Sequence, residues 1–304
     1  MKRSDFIKTS VAATAIGTSG LGLLSSFTTP EYKKRISILH TNDVHSHIDP
    51  FPADHTKYPN LGGAARRMNY IQKIKAENPN TLILDAGDAF QGTPYFNFYG
   101  GELEYKVMSK LGYHASTIGN HEFDNGIDNI AAQLAHAKFD MINTNYDLKN
   151  TSLDGLVKKH QIYEVDQFKI GIFGVGIELA GLVSKDLYKE AKYLDPIDIA
   201  KDEVRYLKDE QKCDLVICLS HIGYAYKSDK VDDVKLAKAT QGIDLIIGGH
   251  THTFLDEPQV FKNSAGEDVM VNQVGWAGLQ LGHIEFYFDE ANQVKAVESS
   301  IAHL

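Results

Sequence analysis

With 2 cysteines in 304 residues, the chain has no material for a disulfide framework. Cys213 and Cys218 lie five apart in CDLVICLSH. In an extended strand they would sit roughly 16 Å apart on opposite faces, beyond disulfide reach, and their spacing is not that of a zinc knuckle. Basic charge is also scarce, with 31 Lys and Arg against 40 Asp and Glu and a net charge of −9. Lys2, Arg3 and Lys8 against Asp5 put +2 at the start, so the remainder carries −9 − 2 = −11. An acidic body excludes an extended nucleic-acid surface, which needs clustered cations to displace counterions. A small phosphorylated substrate stays open, because a bound dication can dominate the local field. No apolar run reaches the length of a membrane span. No Pro/Ser-rich linker and no fixed repeat divides the chain, so one domain is expected over residues 30–304.

What is there begins with MKRSDFIKTSVAATAIGTSGLGLLSSFTTP, a basic start, an Ala/Gly/Leu run and then Ser, Thr and Pro30. That order reads as an export signal over residues 1–29, sending the domain to the periplasm or cell envelope. It resembles a twin-arginine leader at Arg3-Ser4-Asp5-Phe6-Ile7-Lys8, with Ser4 standing where the second arginine would be.

Beyond it, short β-rich runs alternate with helical patterns. RISILHTND, TLILDAGD, ASTIGN, FDMINTN, CDLVICLSH and IDLIIGGH read as strands. LGGAARRMNYIQKIKAEN, ELEYKVMSKLG, IDNIAAQLAHA, IDIAKDEVRYLKDEQ and DDVKLAKATQ read as helices, the first with Met68, Ile71 and Ile74 at helical spacing. Such alternation predicts an α/β fold with a mostly parallel sheet. YEVDQFKIGIFGVG and the tail from Val260 read as hairpins added at sheet edges, and Trp276 on a closing strand reads as packing.

Five strands end in polar clusters, TNDVH, DAGDAFQG, IGNHEFD, LSHIG and GGHTHTF. The carboxyl ends of strands line the ligand crevice in open α/β sheets, so clusters far apart in sequence can converge there. Asp43 and His45 lie two apart, as do His250 and His252, and in extended chain i and i+2 share a side. Asp88 and Asn120 each follow a glycine, Gly87 and Gly119. Imidazoles, carboxylates and an amide oxygen suit two divalent ions such as Zn²⁺, Mn²⁺ or Fe²⁺. A carboxylate such as Asp88 can bridge ions about 3.5–4 Å apart.

These motifs, in this order, resemble the calcineurin-like binuclear metallophosphoesterases. The flanks LHTNDVHSH, LDAGDAFQGT, IGNHEFDNG and GGHTHTFLDEP narrow the resemblance to the catalytic domain of the 5′-nucleotidase family. The resemblance implies a four-layer α/β/β/α sandwich. It implies Asp43, His45, Asp88 and His252 around one metal, and Asp88, Asn120, His221 and His250 around the other. His121 would face the scissile phosphate, held by Asp124, and Asp124 could equally fix an Asx turn with Asn125 and Gly126. His47 would stand near the substrate phosphate or be a solvent-exposed histidine. Two dications polarise a phosphoryl group and lower the pKa of a bound water from about 15.7 toward about 7. A protonated His121 would stabilise the transition state or protonate the leaving oxygen.

His40 reads as a core residue, and His55, His114, His136, His160, His283 and His303 belong to no constellation. GGAARR reads as a helix cap with surface arginines. Full-length 5′-nucleotidases carry a further C-terminal domain that holds the base; this sequence ends near where it would start, so a separate partner chain supplying it is one expectation. The expected activity is hydrolysis of nucleoside monophosphates. Cyclic-nucleotide phosphodiesterases and thiosulfohydrolases resemble the same domain, and a non-catalytic metal-binding envelope module is the alternative of another class.

Overall fold

Alternation along one strand sets the layering. β1 spans Lys34–Thr41 in the computed structural model, which describes residues 34–304. The export signal expected over residues 1–29 lies outside the described residues. Ile36 and Ile38 enter one core and Leu39 another, because successive strand side chains face opposite sides.

The chain continues through α1 (Ala64–Glu77), β2 (Thr81–Asp85), α2 (Pro94–Tyr99), α3 (Glu102–Leu111) and β3 (Ala115–Ser116). A 3₁₀ turn (His121–Asn125) leads into α4 (Ile127–Leu134), β4 (Asp140–Met141) and β5 (Tyr146–Asp147). Then come β6 (His160–Val165), β7 (Phe168–Gly176), α5 (Lys185–Tyr188), β8 (Lys192–Tyr193) and α6 (Pro196–Arg205). The last stretch holds β9 (Leu215–His221), α7 (Asp233–Ala239), β10 (Leu245–Gly248), β11 (Gln259–Lys262), β12 (Asp268–Asn272), β13 (Gln280–Phe288) and β14 (Val294–His303).

Two six-stranded sheets result, ordered β14-β13-β1-β2-β3-β4 and β11-β12-β10-β9-β7-β6, with a small β5-β8 pair beside them. The central strands β1 to β4 run parallel, as do β7, β9, β10 and β12. The expected hairpins are present as β6-β7, β11-β12 and β13-β14, all antiparallel.

Three apolar seams separate four layers. Between the sheets, Ile36, Ile38 and Leu84 meet Ile172, Ile217 and Ile247. Outside the first sheet, Leu39 and Ile83 pack with Ile71 and Ile74 of α1, Met108 of α3 and Ile130 of α4. Outside the second, Val216 and Ile246 pack with Val204 of α6 and Leu236 of α7. This is the expected four-layer α/β/β/α sandwich.

Some expectations need correction. ASTIGN and FDMINTN form only two-residue strands, because the chain leaves the sheet at Thr117, toward the Asn120–His121 turn, and at Asn143, whose N–H bonds Lys158 O. The helix begun at Pro196 widens into a π turn over Tyr206–Glu210. Cys213 precedes β9, and both cysteines are free and pack in the same helix-side seam, not on opposite faces. Arg67 is buried, its guanidinium donating to His47 O at 3.1 Å, so only Arg66 of GGAARR is a surface arginine.

Candidate metal centre

The five polar strand ends meet at one edge of the sandwich. β1 and β2 run in register, so residues 42–46 lie beside residues 87–89. Asp43 N donates to Gly87 O at 2.9 Å, His45 N to Asp88 O at 3.0 Å and Ser46 N to Ala89 O at 2.9 Å. The extended i, i+2 geometry expected for the pairs is not what forms. β1 stops at Thr41 and β10 at Gly248, and Asp43, His45, Asp88, His250 and His252 take left-handed φ values between 48° and 72°. These five donors are therefore aimed by turns, whereas His221 is the last residue of β9. Close approach of the turns demands glycine at Gly119, where an added Cβ would lie 2.2 Å from Asp88 Oδ1.

Two donor groups converge: Asp43, His45 and His252, and Asp88, His221 and His250. In the first, His45 Nε2 is 3.0 Å from His252 Nε2 and 3.9 Å from Asp43 Oδ1, with His252 Nε2 3.4 Å from that oxygen. In the second, His221 Nε2 is 3.0 Å from Asp88 Oδ2, and His250 Nδ1 is 2.8 Å from Asn120 Oδ1. Asp88 Oδ2 is also 3.9 Å from His45 Nε2, so it stands between the groups. Asp43 Oδ1 reaches across too, 3.9 Å from His221 Nε2.

These residues fit a pair of divalent ions on four observations. Ligand bonds of about 2.0–2.2 Å set donor atoms around one ion roughly 3–4 Å apart, the span seen here. The tautomers are suitable: His221 Nδ1 lies 2.7 Å from Ala86 O and His45 Nδ1 3.2 Å from Phe90 O, so donation to those carbonyls turns each Nε2 lone pair inward. His221 Nε2 is buried and, despite its approach to Asp88, lacks a hydrogen bond of proper geometry. His45 and His252 face each other nitrogen to nitrogen, which is stable only with a proton or a cation between them.

The field is equally selective. Burial pushes the His221 imidazole toward neutrality, but the Asp88 and Asp43 charges overcome it and raise its pKa to about 10. Burial likewise pushes the Asp88 carboxyl up, while His221, His45 and His121 bring it well below its usual range. His250 falls to about 4 through burial and the neighbouring His221 charge. The Asp88 and Asp43 charges that raise the His221 pKa would equally favour a cation beside its Nε2.

His121 sits at the rim, its ring 5.2 Å from that of His45. Its backbone N–H donates to Asp88 Oδ1 at 2.8 Å, and its Nδ1 meets Asp124 Oδ2 at 2.8 Å. The Asp124 bond raises the His121 pKa against burial, helped by the Asp88 charge. His47 is set one ring away: Nδ1 rests on His45 O at 2.8 Å, and the ring packs on Phe51 and Trp276. Trp276 lies in the turn between β12 and β13, not on a strand, and stacks on His252.

Glu122 carries a role that sequence reasoning did not give it. Its Oε2 accepts from Gly119 N at 2.6 Å and Asp88 N at 3.0 Å, and its Oε1 from Ala89 N at 2.7 Å and Phe90 N at 3.3 Å. One buried carboxylate thus clamps the Asp88 turn to the Asn120–His121 turn. Burial and the Asp88 charge push its pKa up, yet four N–H donors leave no acceptor for a carboxyl proton. The geometry serves the ionised form. Its only sequence signal was an acid directly after Gly119-Asn120-His121.

A four-layer sandwich with a doubled donor set at its strand ends is the architecture of a metallophosphoesterase. The sequence pattern of the calcineurin-like phosphoesterase family matches residues 36–254, and the chain belongs to that family. It is 32% identical over 301 residues to the trifunctional nucleotide phosphoesterase protein YfkN of Bacillus subtilis (strain 168), covering 88% of this chain and 19% of that protein. It is 32% identical over 280 residues to the 5′-nucleotidase of Homo sapiens, covering 85% of this chain and 47% of that one. The 5′-nucleotidase precursor structure from Thermus thermophilus superposes with a TM-score of 0.81 at 32% identity, over 89% of this chain and 55% of that chain. The chain therefore spans about half or less of the length of these relatives.

Proposed function

We propose that the domain hydrolyses phosphate monoesters with two divalent ions, and that nucleoside monophosphates are its substrates. The observation that carries this reading is the convergence of Asp43, His45, Asp88, Asn120, His221, His250 and His252, with the Asp124-bonded imidazole of His121 at the rim. Asp43, His45, Asp88 and His252 would hold one ion, and Asp88, Asn120, His221 and His250 the other. When bound, the ions would polarise phosphoryl oxygens and acidify a water near neutral pH. The chain supplies the rest. Asp124 keeps Nδ1–H of His121 bonded, so Nε2–H is free to meet charge building on a phosphoryl oxygen or to pass its proton to the leaving oxygen. Glu122 holds the Asp88 and Asn120 turns in mutual register without touching substrate. A nucleoside as leaving group is favoured by the names of the full-length relatives, human 5′-nucleotidase among them. The same proposal includes export to the periplasm or cell envelope by the leader and a separately encoded chain supplying the base-binding domain. Among the described residues, no helix is long and apolar enough to cross a membrane.

The test is phosphate release by the purified chain from 5′-nucleotides, a 2′,3′-cyclic nucleotide and an aryl phosphate, with Mn²⁺, Zn²⁺ or chelator. Chelator-sensitive turnover favouring 5′-nucleotides and lost in His121→Ala is expected. Preference for the cyclic substrate would replace the nucleotidase assignment, and no turnover with any metal would refute catalysis by this chain without its partner chain.

A further inference from the structure

Metal-binding histidines are usually oriented by a hydrogen bond at the ring nitrogen that does not face the ion. His45 and His221 follow that pattern through Phe90 O and Ala86 O. His252 does not. Its Nε2 faces His45 and Asp43, its side chain is 39% exposed, and no protein group among the described residues hydrogen-bonds its Nδ1. What its ring does have is the face of Trp276, with centroids 5.7 Å apart and planes within 6°.

The indole is boxed in turn. The rings of His47, Phe51 and Tyr58 stand nearly perpendicular to it at 5.3, 6.0 and 6.5 Å. That box is pinned: Phe51 N donates to Leu61 O at 2.8 Å, and the buried Arg67 on α1 donates to His47 O. The next residue, Ala277, donates its N–H to Asp43 O at 2.7 Å, tying the tryptophan turn to another donor of the same group.

We propose that Trp276 is the positioning residue for His252, replacing the missing hydrogen bond by a stacked ring, so that the affinity of one ion of the pair depends on an indole that supplies no donor atom. This rests on the two-metal reading above. Stacking fixes the plane of an imidazole without consuming a nitrogen, and it suits a half-exposed ligand at the mouth of the pocket.

The experiment uses the full chain, stripped by chelator and titrated with Mn²⁺, with calorimetry and bound-metal content as readouts. The wild type is expected to bind two ions. Trp276→Leu should bind one as tightly as the wild type and the other about 10–100-fold more weakly, and Trp276→Phe should restore most of that loss. His252→Ala should weaken the same ion, and the double variant should be no weaker than His252→Ala alone, since both changes remove one interaction. Trp276 is the only tryptophan in the chain, so its emission should change as that ion loads. Wild-type affinity for both ions in Trp276→Leu, or additive losses in the double variant, overturns the proposal while leaving the two-metal reading intact. A wild type that binds no Mn²⁺ ends both. Should Trp276→Leu not fold, Phe51→Leu keeps the indole but loosens its box; a severalfold loss for that same ion supports the proposal, and no change refutes it.

Discussion

Replacing Glu122 by Gln changes one atom and should cost more than most core mutations of that size. The carboxylate accepts four backbone N–H groups, two at each oxygen. Glutamine keeps one oxygen and turns an NH₂ toward the other two donors. The amide will settle with its oxygen toward Gly119 and Asp88, whose bonds are 2.6 and 3.0 Å, and orphan Ala89 and Phe90. Phe90 N is already distant at 3.3 Å, so its loss is the smaller one. At about 1–3 kcal/mol per buried unsatisfied donor, the expected destabilisation is about 2–4 kcal/mol. Urea unfolding in chelator measures it without any contribution from bound metal, and an unchanged slope shows that the two end states remain comparable. Mn²⁺ affinity should fall in parallel, because the Asp88 turn loses its clamp. A loss below about 0.5 kcal/mol, the size of an ordinary surface substitution, would refute the argument.

Three further perturbations read other parts of the same structure. Burial, then the nearby His283, holds His40 at a pKa of about 3 against an ordinary 6.5. Its folded pKa is the lower one, so its contribution is intact above about pH 6.5 and declines as pH falls toward 3, reaching about 2 kcal/mol lost at pH 5. Unfolding of wild type and His40→Gln in chelator at pH 7.5 and 5 should differ in pH sensitivity by that amount, and equal sensitivity contradicts it. Gly119→Ala would set a Cβ 2.2 Å from Asp88 Oδ1 and 2.6 Å from Asp88 N. A cost of about 1–3 kcal/mol and loss of tight Mn²⁺ binding are expected by unfolding and calorimetry; retention of both ions would show that the turn can yield. Asp124→Asn leaves an amide oxygen to accept from His121 Nδ1–H but removes the carboxylate charge behind the bond that raises the His121 pKa. Phosphate release should fall about 10–100-fold with Mn²⁺ content unchanged, whereas a drop in metal content would assign Asp124 to the ligand set instead.

The layers were legible because burial leaves a period in the sequence. Ile36 and Ile38 against Leu39 on β1, and Ile217 against Val216 on β9, alternate as a strand between two cores must. The polar strand ends were legible because Asp and His rarely follow a buried strand without a partner. Tertiary contacts were not. Nothing local distinguishes Glu122 as a clamp for amides more than thirty residues away, or Arg67 as buried rather than exposed. Trp276 read as packing, and its packing partner is a candidate ligand, which no spacing could show. The two-residue β3 and β4 were overestimated because Thr117 and Asn143 look compatible with a strand until the loops they start are seen.

The backbone of the donors explains why those residue types occur there twice over. Along a strand, i and i+2 positions are about 6.6–6.8 Å apart, wider than the roughly 3–4 Å between donors around one ion. Left-handed turns shorten that distance, at about 1–2 kcal/mol of steric cost for each non-glycine residue. Among non-glycine residues, Asp and His are several-fold enriched in that region, so they combine donor chemistry with tolerance of the turn. The residual strain persists because neighbouring turns hold one another. His250 N lies 3.0 Å from both oxygens of Asp43, His121 N bonds Asp88 Oδ1, and Ala277 N bonds Asp43 O. Each candidate ligand carboxylate is thus also the acceptor that fixes the next turn. Substitutions at Asp43, Asp88 and Glu122 should therefore be strongly non-additive, since removing one releases the strain that the others were holding.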